Sequence, residues 1–496
     1  MDANQIFGIL TVLFCSVGYF FAWKYAAKEK FNLALLLLIL CGLAIRIYIS
    51  TDFFLHFWDE RYHALVAKHL MNHFFTPTLY ENPLLPPGGY SWTSSHIWLH
   101  KQPLPLWAMA ISMKLFGVNE IAIRIPSILL TTTGIGITYL LGKYFYNRKI
   151  GFVAAFLFSI NGLIIELTGG RVATDHIDTF FLFFIELSIL FITVYAGNRK
   201  AIYNILAAIS LGAAILTKWL PALIVLPIWI LILQDTKSFS VKQLLINFFV
   251  FLVVTTLVFL PWQIYIYQAF PFEANAEATS NLQHFTQTLD GQGGPFYYFI
   301  DKIRINYGEL IYLPLLWFIW VTAKNLKDFK HLAIAIWIVI PIAFFSFAQT
   351  KMQGYIFFIC PALFLMTAEF FYVVKESKLN KWLVRLLLFL LIALPIRYTI
   401  ERMKPFEKID RNPAWVNELK NLNKENITNG VLFNYKASIE AMFYTNLIVY
   451  PEIPDKAIID TLLRKNYTVL INDDGELPKN ISSIKGITKR HFLPIP

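Results

Sequence analysis

The sequence predicts an all-α polytopic membrane protein with about 12 transmembrane helices, additional interfacial helices and a small C-terminal α/β domain. Of the 496 residues, 57% are hydrophobic and 15% are charged, whereas soluble domains carry about 25% charged residues. Apolar runs recur at the length that crosses a bilayer, and short connectors with Lys and Arg separate them. In hydrocarbon a helix satisfies its own backbone hydrogen bonds, so each run is predicted to be helical.

The predicted spans follow these apolar runs, with ends set to within a few residues. They cover residues 6–26, 31–50, 124–141, 150–166, 177–196, 202–216, 219–234, 243–264, 306–323, 331–348, 354–374 and 382–398. The first run has no basic residue before it and is followed directly by a second, so we expect no cleavable signal peptide. Residues 1–398 are the predicted transmembrane domain.

Basic residues predict the orientation of these spans. They mark every second connector, at Lys24, Lys28, Lys30, Lys143, Arg148, Lys149, Arg199, Lys200, Lys237, Lys242, Lys324, Lys327, Lys330, Lys375, Lys378 and Lys381. Cytoplasmic loops carry this excess, so the net charge of +11 reflects topology and does not indicate nucleic-acid binding. Loops 51–123, 167–176 and 265–305 then face outward. Residues 103–116 are apolar but short. A span there would place every later basic connector on the outer side of the membrane, so this segment is predicted to be an interfacial helix.

The tail, residues 399–496, is predicted to be an extracytoplasmic α/β domain. From Glu418 onward, polar helical stretches alternate with strand-like runs. The runs lie at 431–435, 447–450 and 468–472, with a helix at 458–464 before the last.

Two outward segments carry acidic residues. Asp59 and Glu60 follow the second span directly, where carboxylates must be hydrated or paired, and Arg61 is a local partner. Asp175 opens the fifth span, with Arg171 before it. Either acidic segment could instead cap a helix, because an acid at a helix N-terminus meets the positive end of the dipole. The predicted topology puts both segments on the same side of the membrane, which allows a shared site.

Outward-facing cations suit the binding of a lipid phosphate. Lys101 precedes the interfacial helix, and Lys351 and Tyr355 lie in the last outward turn. A point charge with a hydroxyl donor is suited to phosphate. The alternative is that both lysines only extend towards the headgroups.

No metal site is predicted. Glu273, Glu277 and His284 in the third outer loop are too loosely spaced for one. The three cysteines lie in apolar segments and are expected to be packing residues. No cofactor is indicated, and a divalent metal stays open.

Together these motifs resemble the polyprenyl-phosphate-sugar-dependent glycosyltransferases of the GT-C type, in particular the group with the lipid A aminoarabinose transferase and the protein O-mannosyltransferases. The resemblance covers roughly residues 31–375. Its landmarks occur in the family's order, at residues 58–63, 100–107, 115–120, 124–127, 142–146, 170–175, 216–218 and 350–361.

The resemblance implies an inverting transferase in the cell (inner) membrane with its site on the extracytoplasmic face. The donor is a sugar on a polyprenyl phosphate, and the acceptor is a lipid, a glycan or a protein. Asp59 is the expected base, Glu60 shapes the site, and Asp175 positions acceptor or sugar. The expected substrate-binding residues are Arg61, Tyr62, Lys101, Arg171, Lys351 and Tyr355, of which Lys101, Lys351 and Tyr355 hold the phosphate.

The chain also departs from the family pattern. Residues 6–26 are an added span, and the prolines after Lys101 are displaced by one position. The third outer loop matches only through residues 294–298, so no role is carried over to residues 273–284.

Other functions stay open at this point. A multi-span transporter could use Asp59 and Asp175 as ion or proton sites, but transporters place such residues near the bilayer midplane. A ligase or flippase acting on polyprenyl-linked glycans, or a membrane anchor for the tail, would leave the paired acids without a purpose.

Overall fold

Apolar helices make up most of the chain in the computed structural model, which describes residues 2–85, 90–173, 175–235, 239–493 and 495. Thr174 of the second acidic segment and the topology signal Lys237 lie outside the described residues. The helices up to residue 235 are α1 (Ala3–Ala27), α2 (Phe31–Ile49), α3 (Asp59–Leu70), α4 (Pro103–Phe116), α5 (Glu120–Phe145), α6 (Arg148–Ser159), α7 (Gly162–Thr168), α8 (Asp175–Asn198), α9 (Ala201–Lys218) and α10 (Val225–Asp235).

The remaining elements run from residue 241 to the tail. The helices are α11 (Val241–Ala269), α12 (Pro271–Thr286), α13 (Tyr298–Tyr307), α14 (Tyr312–Lys324), α15 (Phe329–Phe347), α16 (Cys360–Lys375), α17 (Lys381–Met403), α18 (Ala414–Lys424), α19 (Ser438–Tyr444), α20 (Lys456–Arg464) and α21 (Lys479–Ser482). Short 3-10 helices are Leu220–Ile224, Glu309–Ile311 and Gln353–Ile359. The strands are β1 (Gly430–Phe433), β2 (Ile448–Val449), β3 (Thr468–Asn472) and β4 (Thr488–Arg490).

Among the described residues, nine helices are long and apolar enough to cross a membrane, and eleven spans result if each of two bent pairs counts as one. The predicted span 219–234 forms a shorter apolar helix, Leu220–Asp235. The predicted interfacial segment is the 14-residue helix α4, and its place at the membrane surface stays a prediction. The chain is therefore a multi-pass membrane protein, and the predicted helical fold class is confirmed.

The two bent pairs have identifiable local causes. Arg148–Ser159 and Gly162–Thr168 meet at 52°, where the Asn161 side chain accepts a hydrogen bond from the amide of Ile164 and starts a new helix. Tyr298–Tyr307 and Glu309–Lys324 meet at 120°, at Gly308 with φ of 90°, a conformation that glycine adopts without strain. Residues 306 and 307 of the predicted span 306–323 therefore lie before the turn.

One compact unit comprises Met1–Ser50, Lys101–Pro105 and Arg124–Lys408. Its core is apolar, with Trp229, Trp337 and other large side chains almost fully buried. Helices α5 and α6 approach closely at small residues, since a Cβ added to Gly151 would lie 2.4 Å from the carbonyl oxygen of Tyr139. Close backbone contact of this kind holds helices together where lipid supplies no hydrophobic driving force.

The second compact unit comprises Thr51–His100, Leu106–Ile123 and Ile409–Pro496. Its four strands form a sheet in the order β2-β1-β3-β4, and all neighbours are parallel. The central strands β1 and β3 are buried and apolar, as in parallel sheets covered on both faces. The predicted α/β character of the tail is confirmed. Strand β4 was not predicted, because its polar sequence carries no alternating pattern. The domain boundary predicted at residue 399 stays a prediction.

Candidate active site

The first acidic segment opens helix α3 in the second unit. Asp59 and Glu60 both lie in the first turn of this helix, where the positive end of the helix dipole stabilises their negative charge. The two carboxylates differ in accessibility, because Glu60 is 0% exposed and Asp59 is half-buried. The structure therefore assigns different environments to two acids that the sequence could only treat as a pair.

A histidine that the sequence analysis missed holds the buried acid. His56 places Nδ1 2.6 Å from Oε2 of Glu60 and Nε2 3.1 Å from Oδ2 of Asp52. The backbone amide of His56 donates to the same Glu60 oxygen at 2.8 Å. Arg411 then donates to Oδ1 of Asp52 at 2.9 Å. The available signal was an imidazole four residues from an acid on each side, a spacing that also occurs by chance.

Arg61 is paired with a tail carboxylate. Its Nη1 lies 3.0 Å from Oε1 of Glu440 in helix α19, and its guanidinium lies 5.0 Å from the centre of the Tyr62 ring. Burial raises the pKa of Glu440, while the charge of Arg61 lowers it. Burial also raises the pKa of Tyr62, whose ring lies 4.9 Å from that of Trp92. Substrate binding by Arg61 and Tyr62 stays a prediction.

Lys68 provides a second link between helices α3 and α19. Its Nζ donates to the backbone oxygens of Met442, Phe443 and Thr445 at 2.7–3.0 Å, which satisfies carbonyls at the end of α19. Burial lowers the pKa of this amine to about 8. Arg61 and Lys68 together attach the helix that carries Asp59 to α19.

The second acidic segment lies in the first unit, where Asp175 begins helix α8. Asp175 is 0% exposed, and its Oδ1 accepts a hydrogen bond from the amide of His176. His176 Nδ1 lies 2.8 Å from the hydroxyl of Ser127, which also accepts a hydrogen bond from Thr179. The position of Asp175 is compatible with the helix-capping alternative as well as with a role towards substrate.

A cationic group lies next to the predicted phosphate ligand Tyr355. Lys218 at the end of α9 pairs with Asp178 of α8 at 2.6 Å, and its Nζ lies 5.3 Å from the centre of the Tyr355 ring. Asp178 is 2% exposed at its side chain and Lys218 is 22% exposed. From the sequence, Lys218 was a motif position within residues 216–218, and Asp178 had no assigned role. Lys218 and Tyr355 are more than 130 positions apart in the chain, so their proximity could be found only from the structure.

The remaining predicted ligands in the first unit have different surroundings. Lys351 is 5% exposed; its Nζ donates to the carbonyl of Ala348 and its backbone amide to that of Gln292. Lys101 and Arg171 are half-buried. Lys351 is thus attached to the third outer loop, and Lys101 and Arg171 are more accessible.

Within the part of the chain that the structure describes, no group of three or more His, Cys, Asp or Glu residues has the geometry of a metal site. The three cysteines are buried and free.

Comparisons with known proteins agree with the sequence resemblance. A family described as dolichyl-phosphate-mannose-protein mannosyltransferase matches residues 100–265. An undecaprenyl phosphate-alpha-4-amino-4-deoxy-L-arabinose arabinosyl transferase of Pseudomonas fluorescens is 26% identical over 280 residues, which are 54% of this chain and 48% of the relative. The chain spans about half the length of the curated relatives it matches.

Two solved structures share the fold. ArnT from Cupriavidus metallidurans bound to undecaprenyl phosphate matches with a TM-score of 0.61 and 15% identity, over 87% of each chain. The oligosaccharyltransferase AglB from Archaeoglobus fulgidus, in complex with an inhibitory peptide and a dolichol-phosphate, matches with a TM-score of 0.55 and 13% identity, over 88% of this chain and 69% of AglB. The resemblance to GT-C glycosyltransferases is confirmed, and the transporter alternative is not favoured.

Proposed function

We propose that this protein is an inverting glycosyltransferase that moves a sugar from a polyprenyl-phosphate donor to a lipid, glycan or protein acceptor on the extracytoplasmic face of the membrane. The relatives named above support the donor class, because they include an undecaprenyl phosphate-linked sugar transferase and structures with undecaprenyl phosphate and dolichol-phosphate bound. A donor of this kind does not leave the bilayer, which suits a multi-pass protein.

The contrast between Asp59 and Glu60 carries the proposal. A general base has to reach the hydroxyl proton that it removes, and the half-buried Asp59 has access that the fully buried Glu60 lacks. Glu60 is instead engaged by His56 through two donors. We therefore assign proton removal to Asp59 and the shaping of the helix start to Glu60.

The proposed reaction is a single displacement at the anomeric carbon. Asp59 takes the proton of the acceptor hydroxyl while its oxygen attacks the anomeric carbon from the face opposite the phosphate. The bond from that carbon to the phosphate oxygen breaks with its electron pair, and polyprenyl phosphate leaves. Cationic groups and hydroxyl donors stabilise the charge that develops on the phosphate. We assign this role to Lys101 and Lys351 as cations and to Tyr355 as the hydroxyl donor.

Two further assignments complete the proposed site. Asp175 positions the acceptor or the sugar, and Arg61, Tyr62 and Arg171 contact substrate. The Asp178–Lys218 pair beside Tyr355 adds a cation to the residues assigned to phosphate. At 5.3 Å from the ring centre, the Lys218 ammonium group is attracted to the Tyr355 ring by a cation–π interaction.

Reconstitution tests this proposal. The purified protein in proteoliposomes is given undecaprenyl- and dolichyl-phosphate sugars with a membrane extract as acceptor, and released polyprenyl phosphate is measured. We expect release that depends on the acceptor. Ion or sugar flux across the vesicle membrane without any release would instead support the transporter.

The location of the site is tested separately by labelling. Ser94 lies in the first outer loop and Lys327 in a basic connector, and both residues are exposed. Each is replaced by cysteine in a separate variant, Ser94→Cys or Lys327→Cys, and the native cysteines are buried. A membrane-impermeant maleimide should label Ser94→Cys in intact cells and Lys327→Cys only after permeabilisation. The reverse pattern would place the first loop in the cytoplasm and contradict the proposed face.

A further inference from the structure

The loop before helix α3 contains a histidine between two buried carboxylates. The side chains of Asp52 and Glu60 are 3% and 0% exposed, and that of His56 is 12% exposed. The three residues are spaced by four positions, but only Glu60 lies in the helix. The loop therefore folds back so that one imidazole contacts both acids.

The geometry indicates the protonation state of His56. Each ring nitrogen lies within 3.1 Å of a carboxylate oxygen, and an ionised carboxylate only accepts hydrogen bonds. With both carboxylates ionised, both nitrogens carry a proton, which makes the ring an imidazolium. Hydrogen bonds between charged groups are about twice as strong as neutral ones. The imidazolium of His56 therefore forms a strong bridge between the carboxylates of Asp52 and Glu60.

The bridge is extended into the tail. Arg411 donates to Oδ1 of Asp52 at 2.9 Å and to the hydroxyl of Thr51 at 3.1 Å, while Oδ2 of Asp52 faces His56. Arg411, Asp52, His56 and Glu60 thus form one connected chain of charged groups. It ends at the first turn of α3, next to Asp59.

We propose that His56 is a positioning residue: as an imidazolium it fixes Glu60 and thereby the first turn of α3, which sets the direction of the Asp59 carboxylate. This inference rests on the proposed function, in which Asp59 is the base. A base displaced by about 1 Å loses on the order of 100-fold in rate. The residues assigned to the donor phosphate, Lys101, Lys351 and Tyr355, lie outside α3, so we expect the effect in kcat and not in the KM for the donor.

Two substitutions of His56 separate the two contacts. In His56→Asn the amide nitrogen occupies the place of Nδ1 and keeps a donor towards Glu60. In His56→Gln the amide nitrogen occupies the place of Nε2 and keeps a donor towards Asp52. We expect His56→Gln to lower kcat by about 10- to 100-fold with an unchanged KM for the donor, and His56→Asn to retain most of the wild-type kcat.

His73 provides the matched control. Its side chain is 60% exposed and pairs with Glu81 at 3.4 Å, so His73→Asn and His73→Gln should leave kcat unchanged. Wild-type kcat in His56→Gln, or an equal loss in both His56 variants, would overturn the proposal.

A second measurement needs no turnover and so stands apart from the proposed function. The full-length protein is labelled with ¹⁵N-histidine in nanodiscs, and the spectrum of His56→Asn is subtracted from that of the wild type at pH 7. Imidazolium shifts at both nitrogens support the bridge. The shifts of a neutral tautomer would overturn it, even if the protein proves to be an active transferase.

Discussion

Replacing Arg61 with Met should destabilise the link between helices α3 and α19. Glu440 is 0% exposed at its side chain and Arg61 is 24% exposed, with 3.0 Å between their charged atoms. Oε2 of Glu440 has no hydrogen-bond partner among the residues that the structure describes. Removing one partner of a buried ion pair costs about 3–5 kcal/mol, and the partial exposure of Arg61 places the expected loss near the lower value.

Hydrogen exchange followed by mass spectrometry measures this loss locally. A deficit of about 3 kcal/mol corresponds to roughly 100-fold faster exchange of the α19 amides. The double variant Arg61→Met/Glu440→Gln should recover part of the protection, because it removes the unpaired charge. Equal protection of α19 in the wild type and in Arg61→Met would refute the assigned role of the ion pair.

The loss of stability in Arg61→Met is also expected to depend on pH. Burial raises the pKa of Glu440 above its ordinary 4.5 and Arg61 opposes that rise, so the pKa rises further in Arg61→Met. A carboxyl whose pKa is higher in the folded than in the unfolded protein favours folding when it is protonated. Its ionised form lowers the free energy of unfolding, and this loss grows as the pH rises above the ordinary pKa of the group. The deficit of Arg61→Met should therefore be largest near pH 8 and shrink towards about pH 5. A deficit that does not change with pH would contradict the burial of this charge.

Three further substitutions test the packing and the ion pairs. Gly151→Val should abolish folded protein in detergent, measured by size-exclusion yield, because its Cβ meets the backbone of α5; Gly136→Ala, with open space around the added Cβ, should fold normally. Asp178→Ala should leave the Lys218 amine without its close carboxylate and lower the melting temperature, while Asp178→Ala/Lys218→Met should restore it in part. Lys68→Met removes three hydrogen bonds to backbone carbonyls. It should lower the free energy of local unfolding of α19, measured by hydrogen exchange, by about 2 kcal/mol.

The membrane spans could be predicted from the sequence because their signal is local. A run of about 20 apolar residues identifies a helix regardless of its neighbours, and the helices α1, α2 and α11 formed where the sequence placed them. The bend at Gly308 was not predictable in the same way, because it depends on a positive φ inside an otherwise ordinary apolar region.

The candidate site was predictable only at the level of single residues. Asp59 and Glu60 stood out as an acidic pair beyond a span, but the unequal burial of the two acids and the contact of Glu60 with His56 depend on tertiary packing. The proximity of Lys218 to Tyr355 joins segments far apart in the chain. Composition and spacing report which chemical groups are available, and tertiary packing decides which of them are engaged by other side chains.

The comparison of Asp59→Asn with Glu60→Gln tests the central claim most directly. Wild type and both variants are purified, checked for folding and for polyprenyl-phosphate binding, and assayed for turnover of polyprenyl-phosphate sugars with membrane extract as acceptor. The loss of a general base predicts a decrease of about 10²- to 10⁴-fold in Asp59→Asn and a smaller decrease in Glu60→Gln. Turnover by Asp59→Asn equal to that of the wild type would move the base to Glu60 or Asp175, and the absence of any turnover by the wild type would contradict the transferase itself.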